Sequence, residues 1–430
     1  MTALPTISAS AIGVAPIRYA DRTFPNGLRA LLVADRRVPS VAINVAYKVG
    51  GKDDPPGRSG FAHLFEHLMF KGTLRTPPET IDRLTEDVGG YNNAFTSEDI
   101  TNYYEVVPSN HLERLLWAEA DRLSSLVVNA ENFATERDVV IGEYDQRILA
   151  EPYGMLDELV NREAFTVHPY RRGVIGSPDE LNAASLDDVV AFHDTYYRPD
   201  NALLVVAGDL DEDETFAMIE RWFGPIPTPA APIPRVHAVE PPQTAERTLR
   251  HSAANVPLAA AEEAYHIPAA SHPDAAALDV LETLLGAGRS SRLYTTLVYE
   301  QQVATNAYAA ADLRQDPGLF GVRITCARGV ELAAARAALE AQLERVRAEP
   351  PDEGELARVR TQIASSVVRS RQTNTGVALE LVRATTERGS PGVVNHDLER
   401  YLAVTGEDVQ RVARTYLRAE NRTVVEYVPQ

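Results

Sequence analysis

Two histidines and a glutamate lie within five residues of one another in the apolar segment FAHLFEHLMF, residues 61–70. On an α-helix, His63 and His67 are about 40° apart around the axis, and Glu66 lies about 60° to the other side of His63. The three side chains therefore share one arc of roughly 100°. Every other residue of the segment is apolar, so we expect the helix to be buried. A buried carboxylate beside two imidazoles is costly unless a cation compensates for it, which indicates a metal site.

This set of side chains suits a hydrolytic zinc centre. Such a centre uses three protein ligands and keeps one position for water, and histidines at i and i+4 supply two ligands from one helix face. The adjacent Glu66 can accept a proton from the attacking water. Two histidines on a helix more often reflect ordinary packing, but the apolar neighbours and an acidic helix downstream favour the metal. The segment therefore predicts one Zn²⁺ per chain.

A third ligand must come from another helix that faces this one. The helical stretch from residue 131 to residue 149 offers Glu136 and Glu143, which are seven residues apart and therefore lie on one stripe, two turns apart. Taken alone, the pair would be read as a solvated helix face. Either glutamate could complete the site, and the spacing does not say which.

Charge and composition exclude several classes of partner. The chain has 430 residues, of which 44% are hydrophobic and 24% charged, as in ordinary globular proteins. Its 42 Lys and Arg against 61 Asp and Glu give a net charge of −19, and we find no run of basic residues. A polyanion would be repelled, so we expect no nucleic-acid and no anionic-membrane partner.

Cysteine content and hydropathy set further limits. The single Cys326 excludes an intrachain disulfide and a cysteine-based zinc or iron–sulfur site. No apolar run approaches the roughly 18–20 residues that span a bilayer. The segment Met1 to Ile17 lacks a basic start and a continuous apolar run, so no signal peptide is visible. We expect a soluble protein that is cytoplasmic, or periplasmic if a leader has been removed.

An internal repeat indicates two homologous halves. Residues 188–205 and 408–425 match at seven of 18 ungapped positions with a constant offset of 220. Seven prolines crowd residues 225–242, which favours an extended linker because proline propagates neither a helix nor a central strand. The predicted domains are an N-terminal zinc-binding domain (1–224), a proline-rich linker (225–245) and a C-terminal domain without zinc (246–430).

Hydrophobic patterning assigns the elements that would hold the site. A Pro-Asn-Gly turn at residues 25–27 signals a hairpin, and alternation over residues 41–49 signals a strand. We predict helices over residues 61–71, 112–126, 131–149, 275–285 and 331–347, and a strand over residues 320–325. Strands and helices are mixed without strict alternation. This favours an α+β fold in which each domain is a mainly antiparallel sheet with helices packed on one face.

The motifs together resemble the inverzincin metallopeptidases, the family of pitrilysin, insulysin and the mitochondrial processing peptidase. The order H-x-x-E-H reverses the commoner zincin order, and the likeness covers nearly the whole chain, including its duplicated halves. It is closest to the short bacterial members and to the catalytic processing-peptidase subunit. The motifs that carry it are HLFEH followed by MFKGT (63–73), NAFTS (93–97) and ERDVV followed by Glu143 (136–143).

The resemblance also implies roles for individual residues. It implies that His63, His67 and Glu143 ligate zinc, that Glu66 is the general base, and that Glu136 helps to hold the site or the substrate. It further implies that an edge strand binds the main chain of the substrate, through Asn93, Ala94 and Phe95. A peptide laid along a sheet edge satisfies its backbone groups without close reading of its side chains, which gives that role independent physical sense.

One departure from the family pattern concerns the second half. Many members carry an Arg and a Tyr there that act on the substrate carbonyl and the oxyanion, whereas this chain has Val298 and Thr305 at those places. Arg292 and Tyr299 have the same spacing but a different register. Because an oxyanion stabiliser is worth roughly 3–4 kcal/mol of barrier, we expect a paralogous subunit to supply the pair across a cavity. A homodimer is the alternative.

These observations support a zinc endopeptidase that cleaves short or unfolded peptides inside a closed cavity. The alternative from another class is a non-catalytic structural or assembly subunit, against which the intact H-x-x-E-H motif and Glu143 argue. A third possibility is a maturation peptidase that acts on one dedicated precursor.

Overall fold

A computed structural model describes residues 14–430. The expectation that Met1 to Ile17 holds no signal peptide therefore falls mostly on residues 1–13, which lie outside the described residues. In the described part of the chain, no helix combines the length and the apolar character needed to cross a bilayer.

In the N-terminal half, the described residues form one mixed sheet and a set of helices. The strands are β1 (Ala20–Thr23), β2 (Arg29–Ala34), β3 (Ser40–Tyr47), β4 (Tyr91–Thr96), β5 (Thr101–Pro108) and β6 (Ala202–Gly208). The helices are α1 (Phe61–Leu68), α2 (Thr80–Glu86), α3 (Leu112–Ser125), α4 (Ala130–Tyr144), α5 (Met155–Ala164), α6 (Pro178–Asn182), α7 (Leu186–Tyr196) and α8 (Glu212–Phe223). The strand order is β1-β2-β6-β3-β5-β4, in which only β2 and β6, among these described strands, pair in parallel.

The C-terminal half has the same plan with one strand fewer among its described residues. Its strands are β7 (Arg247–Ala253), β8 (Ala260–His266), β9 (Ala304–Asp312), β10 (Leu319–Cys326) and β11 (Arg422–Pro429). Its helices are α9 (Ala275–Gly286), α10 (Leu332–Ala348), α11 (Glu353–Ser370), α12 (Asn374–Arg388), α13 (Asp397–Ala403) and α14 (Gly406–Tyr416). The order β7-β11-β8-β10-β9 again joins one parallel pair, β7 and β11, to antiparallel neighbours.

The sequence repeat corresponds to a structural repeat. Helix α7 and strand β6 recur as α14 and β11 at the same offset of 220 residues. Each helix starts with a capping box, Ser185 with Asp188 and Thr405 with Asp408, which satisfies main-chain N–H groups of the first turn. The α+β fold with two homologous, mainly antiparallel domains is therefore confirmed.

Each sheet packs its own helices on one face, and its other face receives a helix from the opposite half. Helix α12 lays Ala378, Leu381 and Val382 against β2, β3 and β6 of the N-terminal sheet. In return, α5 lays Leu156 and Val160 against the C-terminal sheet. This exchange of helices ties the halves together. Nothing in the sequence pattern signals it, because a local hydrophobic stripe does not say which sheet it covers.

The proline-rich stretch between α8 and β7 contains no described helix or strand, but it is anchored to the N-terminal half. The guanidinium of Arg198 donates to the carbonyl oxygens of Pro229 and Ala231. The carboxylate of Glu240 accepts hydrogen bonds at 2.6–2.8 Å from the Thr166 hydroxyl and from the N–H groups of residues 166–168. The proline-rich stretch is therefore held against the N-terminal half by hydrogen bonds. The exact domain boundaries stay a prediction.

Candidate metal centre

Helix α1 is anchored in the core at its N-terminal end. The N–H groups of Gly60 and Ala62 donate to the buried carboxylate of Asp54 at 2.7 and 2.9 Å, which satisfies two of the donors that a helix leaves unpaired. Six of its eight residues are buried, as the apolar segment predicted, and the two partly exposed ones are Glu66 and His67. The helix therefore presents its polar residues on one face from a fixed backbone.

Helix α4 packs against α1 and brings an acidic stripe to that face. The Oε2 atom of Glu143 lies 3.7 Å from Nε2 of His63 and 3.3 Å from Nε2 of His67. Glu136, two turns earlier, reaches the opposite side of the His67 ring, with its Oε2 3.5 Å from Nδ1. Sequence spacing did not distinguish Glu136 from Glu143 as the third ligand. In the structure, Glu143 faces both imidazoles, and Glu136 lies behind the His67 ring.

The three residues His63, His67 and Glu143, hereafter the metal trio, fit the donor set of a zinc site. Their donor atoms all lie within 4.8 Å of one another, and within residues 14–430 they are the one cluster of three His, Cys, Asp or Glu donors arranged in this way. Ligands about 2.1 Å from a tetrahedral metal are about 3.4 Å apart, close to the two imidazole–carboxylate separations here. Two imidazoles and a carboxylate leave the fourth position open, as in catalytic zinc sites.

The protonation of the histidines differs between the two rings. Burial lowers the pKa of His63 to about 3, with smaller contributions from His67 and Arg147, so this imidazole is neutral at physiological pH and able to ligate. Burial also acts to lower the pKa of His67, but the hydrogen bond to Glu136 and the charges of Glu143 and Glu66 outweigh it and raise that pKa. A cation bound at Nε2 of His67 would replace the proton that this nitrogen carries when the ring is protonated.

Glu66 lies on the same face and is held by strand β4. Its Oε2 accepts a hydrogen bond from the hydroxyl of Thr96 at 2.6 Å. Burial raises the pKa of Glu66, and the Thr96 hydroxyl and the His67 ring offset only part of that effect. A carboxylate with a raised pKa that is held in a fixed direction is suited to proton transfer near neutral pH.

Three further residues contact the site residues, and none of them was assigned a role from the sequence, although two of them lie within the motifs that carry the family resemblance. The ammonium of Lys71 lies 2.8 Å from Oε1 of Glu136, and the guanidinium of Arg147 lies 2.7 Å from Oε1 of Glu143. Thr96, which binds Glu66, is the third. Arg147 lies four residues after Glu143 on the same stretch of chain, and that spacing was an available signal for their ion pair. No comparable signal existed for Lys71, because its partner Glu136 lies on a separate element, α4.

The NAF segment, Asn93, Ala94 and Phe95, lies in β4, which is the edge strand of the N-terminal sheet. Pairing of β4 with β5 places Ala94 opposite Tyr103. The Ala94 N–H instead donates to the Asn93 side chain at 2.8 Å, so this main-chain group is turned away from β5 toward the open edge. An extended peptide could pair with such an edge, close to Glu66.

Val298 and Thr305, which the sequence predicted to stand at the places of the family's Arg and Tyr, serve the packing of the C-terminal half. Val298 packs against the C-terminal core, and the Thr305 hydroxyl donates to the carbonyl of Thr325. Arg292 is buried and pairs with both carboxylate oxygens of Glu355, at 2.7 and 2.6 Å. Tyr299 is 76% exposed. Arg292 therefore has a structural partner of its own, and the register that puts Val298 and Thr305 at the family's Arg and Tyr places stays a prediction.

Comparison with known families places both halves in one group. Residues 29–177 match the model described as Insulinase (Peptidase family M16), and residues 183–363 match the model described as Peptidase M16 inactive domain. The first match contains the metal trio, Glu66 and β4. The second match, to which the word inactive belongs, covers none of them.

Individual relatives agree over nearly the full length. The chain is 29% identical to the zinc protease PqqE of Helicobacter pylori over 95% of this chain and 92% of the relative. It is 26% identical to a probable mitochondrial-processing peptidase subunit beta of Arabidopsis thaliana, over 92% of this chain and 75% of the relative. The crystal structure of a protease from Helicobacter pylori superposes with a TM-score of 0.92 at 28% identity, covering 95% of this chain and 99% of that one.

Proposed function

The chain belongs to peptidase family M16, and on that premise we propose that it is a zinc-dependent endopeptidase that hydrolyses peptides or unfolded polypeptides. The observation that carries the proposal is the metal trio of α1 and α4, with Glu66 beside it and an open strand edge next to Glu66. A protein with only a binding or structural role would not need all three features in one place.

In this proposal His63, His67 and Glu143 hold the zinc, one ion per chain. When bound, the ion polarises the scissile carbonyl and makes water acidic enough to be deprotonated near neutral pH. Glu66 accepts the proton of the attacking water and later delivers it to the leaving amine. Thr96 keeps the Glu66 carboxylate aimed through the 2.6 Å hydrogen bond, and Glu136 orients the His67 ring.

The substrate would bind as an added strand along β4. The outward main-chain groups around Ala94 would pair with the peptide backbone, and Asn93 and Phe95 flank them in the same strand. Main-chain pairing gives affinity without strict side-chain selection, which suits unfolded or short peptides in a closed cavity. Because β4 ends at Thr96, a peptide on this edge would pass beside the Glu66 carboxylate.

The chain would act with a partner. Since Val298 and Thr305 occupy the places of the family's Arg and Tyr, we assign the oxyanion-stabilising pair to a paralogous subunit that closes the cavity. A homodimer is the alternative assembly, and it would have to stabilise the oxyanion without that pair. The name of the Arabidopsis relative, a peptidase subunit, is consistent with a divided enzyme. Purified alone, the chain should be nearly inactive, and addition of the paralogue should restore turnover. Full activity of a homodimer would contradict this assignment.

The substitution Glu66→Gln tests the function. The variant should bind one zinc per chain like the wild type, and its kcat should fall by about 10²–10⁴, the usual contribution of a general base. Glu131→Gln, at an exposed position of α4, is the matched control and should change neither zinc content nor kcat. Substoichiometric zinc in the wild type would instead favour the structural-subunit alternative. Wild-type turnover by Glu66→Gln would exclude Glu66 as the base.

A further inference from the structure

The edge hairpins of the two sheets meet at their tips. Strands β4 and β5 are joined by residues 97–100, and the equivalent strands of the other half, β9 and β10, are joined by residues 313–318. The first tip directly follows Thr96, the residue that binds Glu66. The second, hereafter the 313–318 loop, belongs to the half that holds none of the metal trio.

Asp99 is the centre of the contact between the tips. Its Oδ2 accepts a hydrogen bond from the main-chain N–H of Gln315 at 2.9 Å. Its Oδ1 accepts one from the Tyr170 hydroxyl at 2.6 Å and lies 2.8 Å from the Lys52 ammonium. The same ammonium lies 3.0 Å from Oδ2 of Asp316, so one cation joins a carboxylate of each half.

Arg314 makes the second connection. Its guanidinium lies 2.9 Å from Oε1 of Glu98, pairs with Asp312 at the end of β9 and sits 4.6 Å from the centre of the Tyr170 ring. Arg314 is 7% exposed, so solvent screens these contacts little. The 313–318 loop thus reaches both acidic residues of the 97–100 turn.

Burying so many charges costs desolvation energy that their mutual attraction only partly offsets. A hydrophobic contact would join the halves at least as strongly, so stability does not account for the arrangement. Charge-assisted hydrogen bonds differ from hydrophobic contacts in direction, because they fix the two partners in one geometry. The charged cluster therefore fixes the position of the 97–100 turn relative to the 313–318 loop.

We infer that the 313–318 loop is a positioning element for the catalytic strand, with Arg314 and Asp99 as positioning residues. Strand β4 is paired with β5 on one side and has no described strand on the other, so its position also depends on the turn after Thr96 and on the Thr96–Glu66 hydrogen bond. Fixing the turn keeps β4 extended and holds Thr96 against Glu66. The C-terminal half thereby contributes to the chemistry of the N-terminal half. This inference rests on the proposed peptidase function.

Two variants test it, Arg314→Met in one half and Asp99→Asn in the other. The control is Arg247→Met, which removes hydrogen bonds between the halves, to the carbonyls of Glu163 and Ala164 at 2.9 and 2.6 Å. Neither of these bonds involves a residue of the 97–100 turn or of the 313–318 loop. The experiment uses the full chain loaded with zinc, together with its partner if activity needs one. Deuterium uptake of residues 91–101 and kcat on a quenched fluorescent peptide are measured well below the Tm of each variant.

Arg314→Met and Asp99→Asn should each raise deuterium uptake in residues 91–101 and lower kcat about tenfold or more, with zinc content unchanged. Arg247→Met should lower the Tm but leave the uptake of this segment and kcat within twofold. If Arg314→Met does not fold, Asp99→Asn, which keeps the side-chain shape, decides alone. Loss of kcat in all variants in proportion to Tm, or unchanged uptake in residues 91–101, would overturn the inference. If the wild type cleaves no peptide, the proposed function fails, and the exchange data still decide whether the loop positions β4.

Discussion

Replacing Glu136 by Gln should weaken zinc binding without abolishing the chemistry. The Glu136 carboxylate is 96% shielded from solvent, and its Oε2 lies 3.5 Å from Nδ1 of His67, on the side of the ring away from Glu143. A carboxylate in this position fixes the ring orientation and raises the basicity of the nitrogen that faces the metal. The substitution keeps the shape of the side chain and removes its charge.

The expected size follows from the geometry. Removing the carboxylate partner of a metal-binding histidine costs about 10–100-fold in metal affinity, or about 1.4–2.7 kcal/mol. The amide oxygen of Gln can still accept a hydrogen bond from His67, which places the effect of Glu136→Gln toward the lower end. The 2.8 Å pair with Lys71 is lost at the same time, so Lys71→Met measures that part separately. We expect Lys71→Met to change zinc affinity less than Glu136→Gln.

The assay is competition for zinc against a chromophoric chelator at neutral pH, with kcat measured at saturating zinc. Glu136→Gln should raise the zinc Kd about tenfold or more and keep kcat within about threefold of the wild type once the site is filled. An unchanged Kd combined with a large loss of kcat at saturating zinc would refute the reasoning. That result would assign Glu136 to the substrate, the other role that the family resemblance implies.

Three further predictions concern the base, the metal and the linker. Thr96→Val should lower kcat about tenfold or more, because a hydrogen bond to a charged group contributes about 1.5–3 kcal/mol. Thr96→Ser keeps the hydroxyl and should retain most of the wild-type kcat. Equal kcat values for the two variants would count against a role of the 2.6 Å contact with Glu66. Dialysis of the chain together with its partner subunit against a chelator should abolish peptide hydrolysis, and adding back zinc should restore it. Activity that survives verified zinc removal would exclude the proposed mechanism. Burial acts to raise the pKa of Glu240, but the Thr166 hydroxyl and neighbouring N–H groups outweigh it and hold the pKa at about 2 against an ordinary 4.5, so its stabilisation is present above about pH 4.5 and is lost as the pH falls toward 2. Glu240→Gln should therefore lower the free energy of unfolding at neutral pH by on the order of 1 kcal/mol, a figure already reduced for the exposure of the side chain. The variant should also lose less stability than the wild type between pH 4.5 and 2. Urea unfolding at pH 7 and pH 3 measures both effects, and an equal destabilisation by the substitution at the two pH values would contradict the prediction.

The elements were largely predictable because their signals are local. The helix expected over residues 112–126 spans Leu112–Ser125, and the strand expected over residues 320–325 spans Leu319–Cys326. The helix expected over residues 61–71 was too long, since it ends at Leu68. Residues 69–71 turn tightly toward Gly72, whose φ of 93° belongs to the left-handed region that favours glycine. A helix end set by such a turn is less visible than an apolar stripe.

Helix geometry alone determined half of the candidate centre. His63, Glu66 and His67 share one face of α1 wherever the helix packs, because the helical repeat places residues three and four positions apart on the same side. The sequence also determined the duplication, since the 220-residue offset is written in both copies. Tertiary structure alone decided that Glu143 faces both imidazoles while Glu136 stands behind one, that α12 crosses to the opposite sheet, and that Asp99 meets the 313–318 loop. These contacts join residues dozens to hundreds of positions apart, and such distances are set by the packing of whole elements, which no local periodicity records.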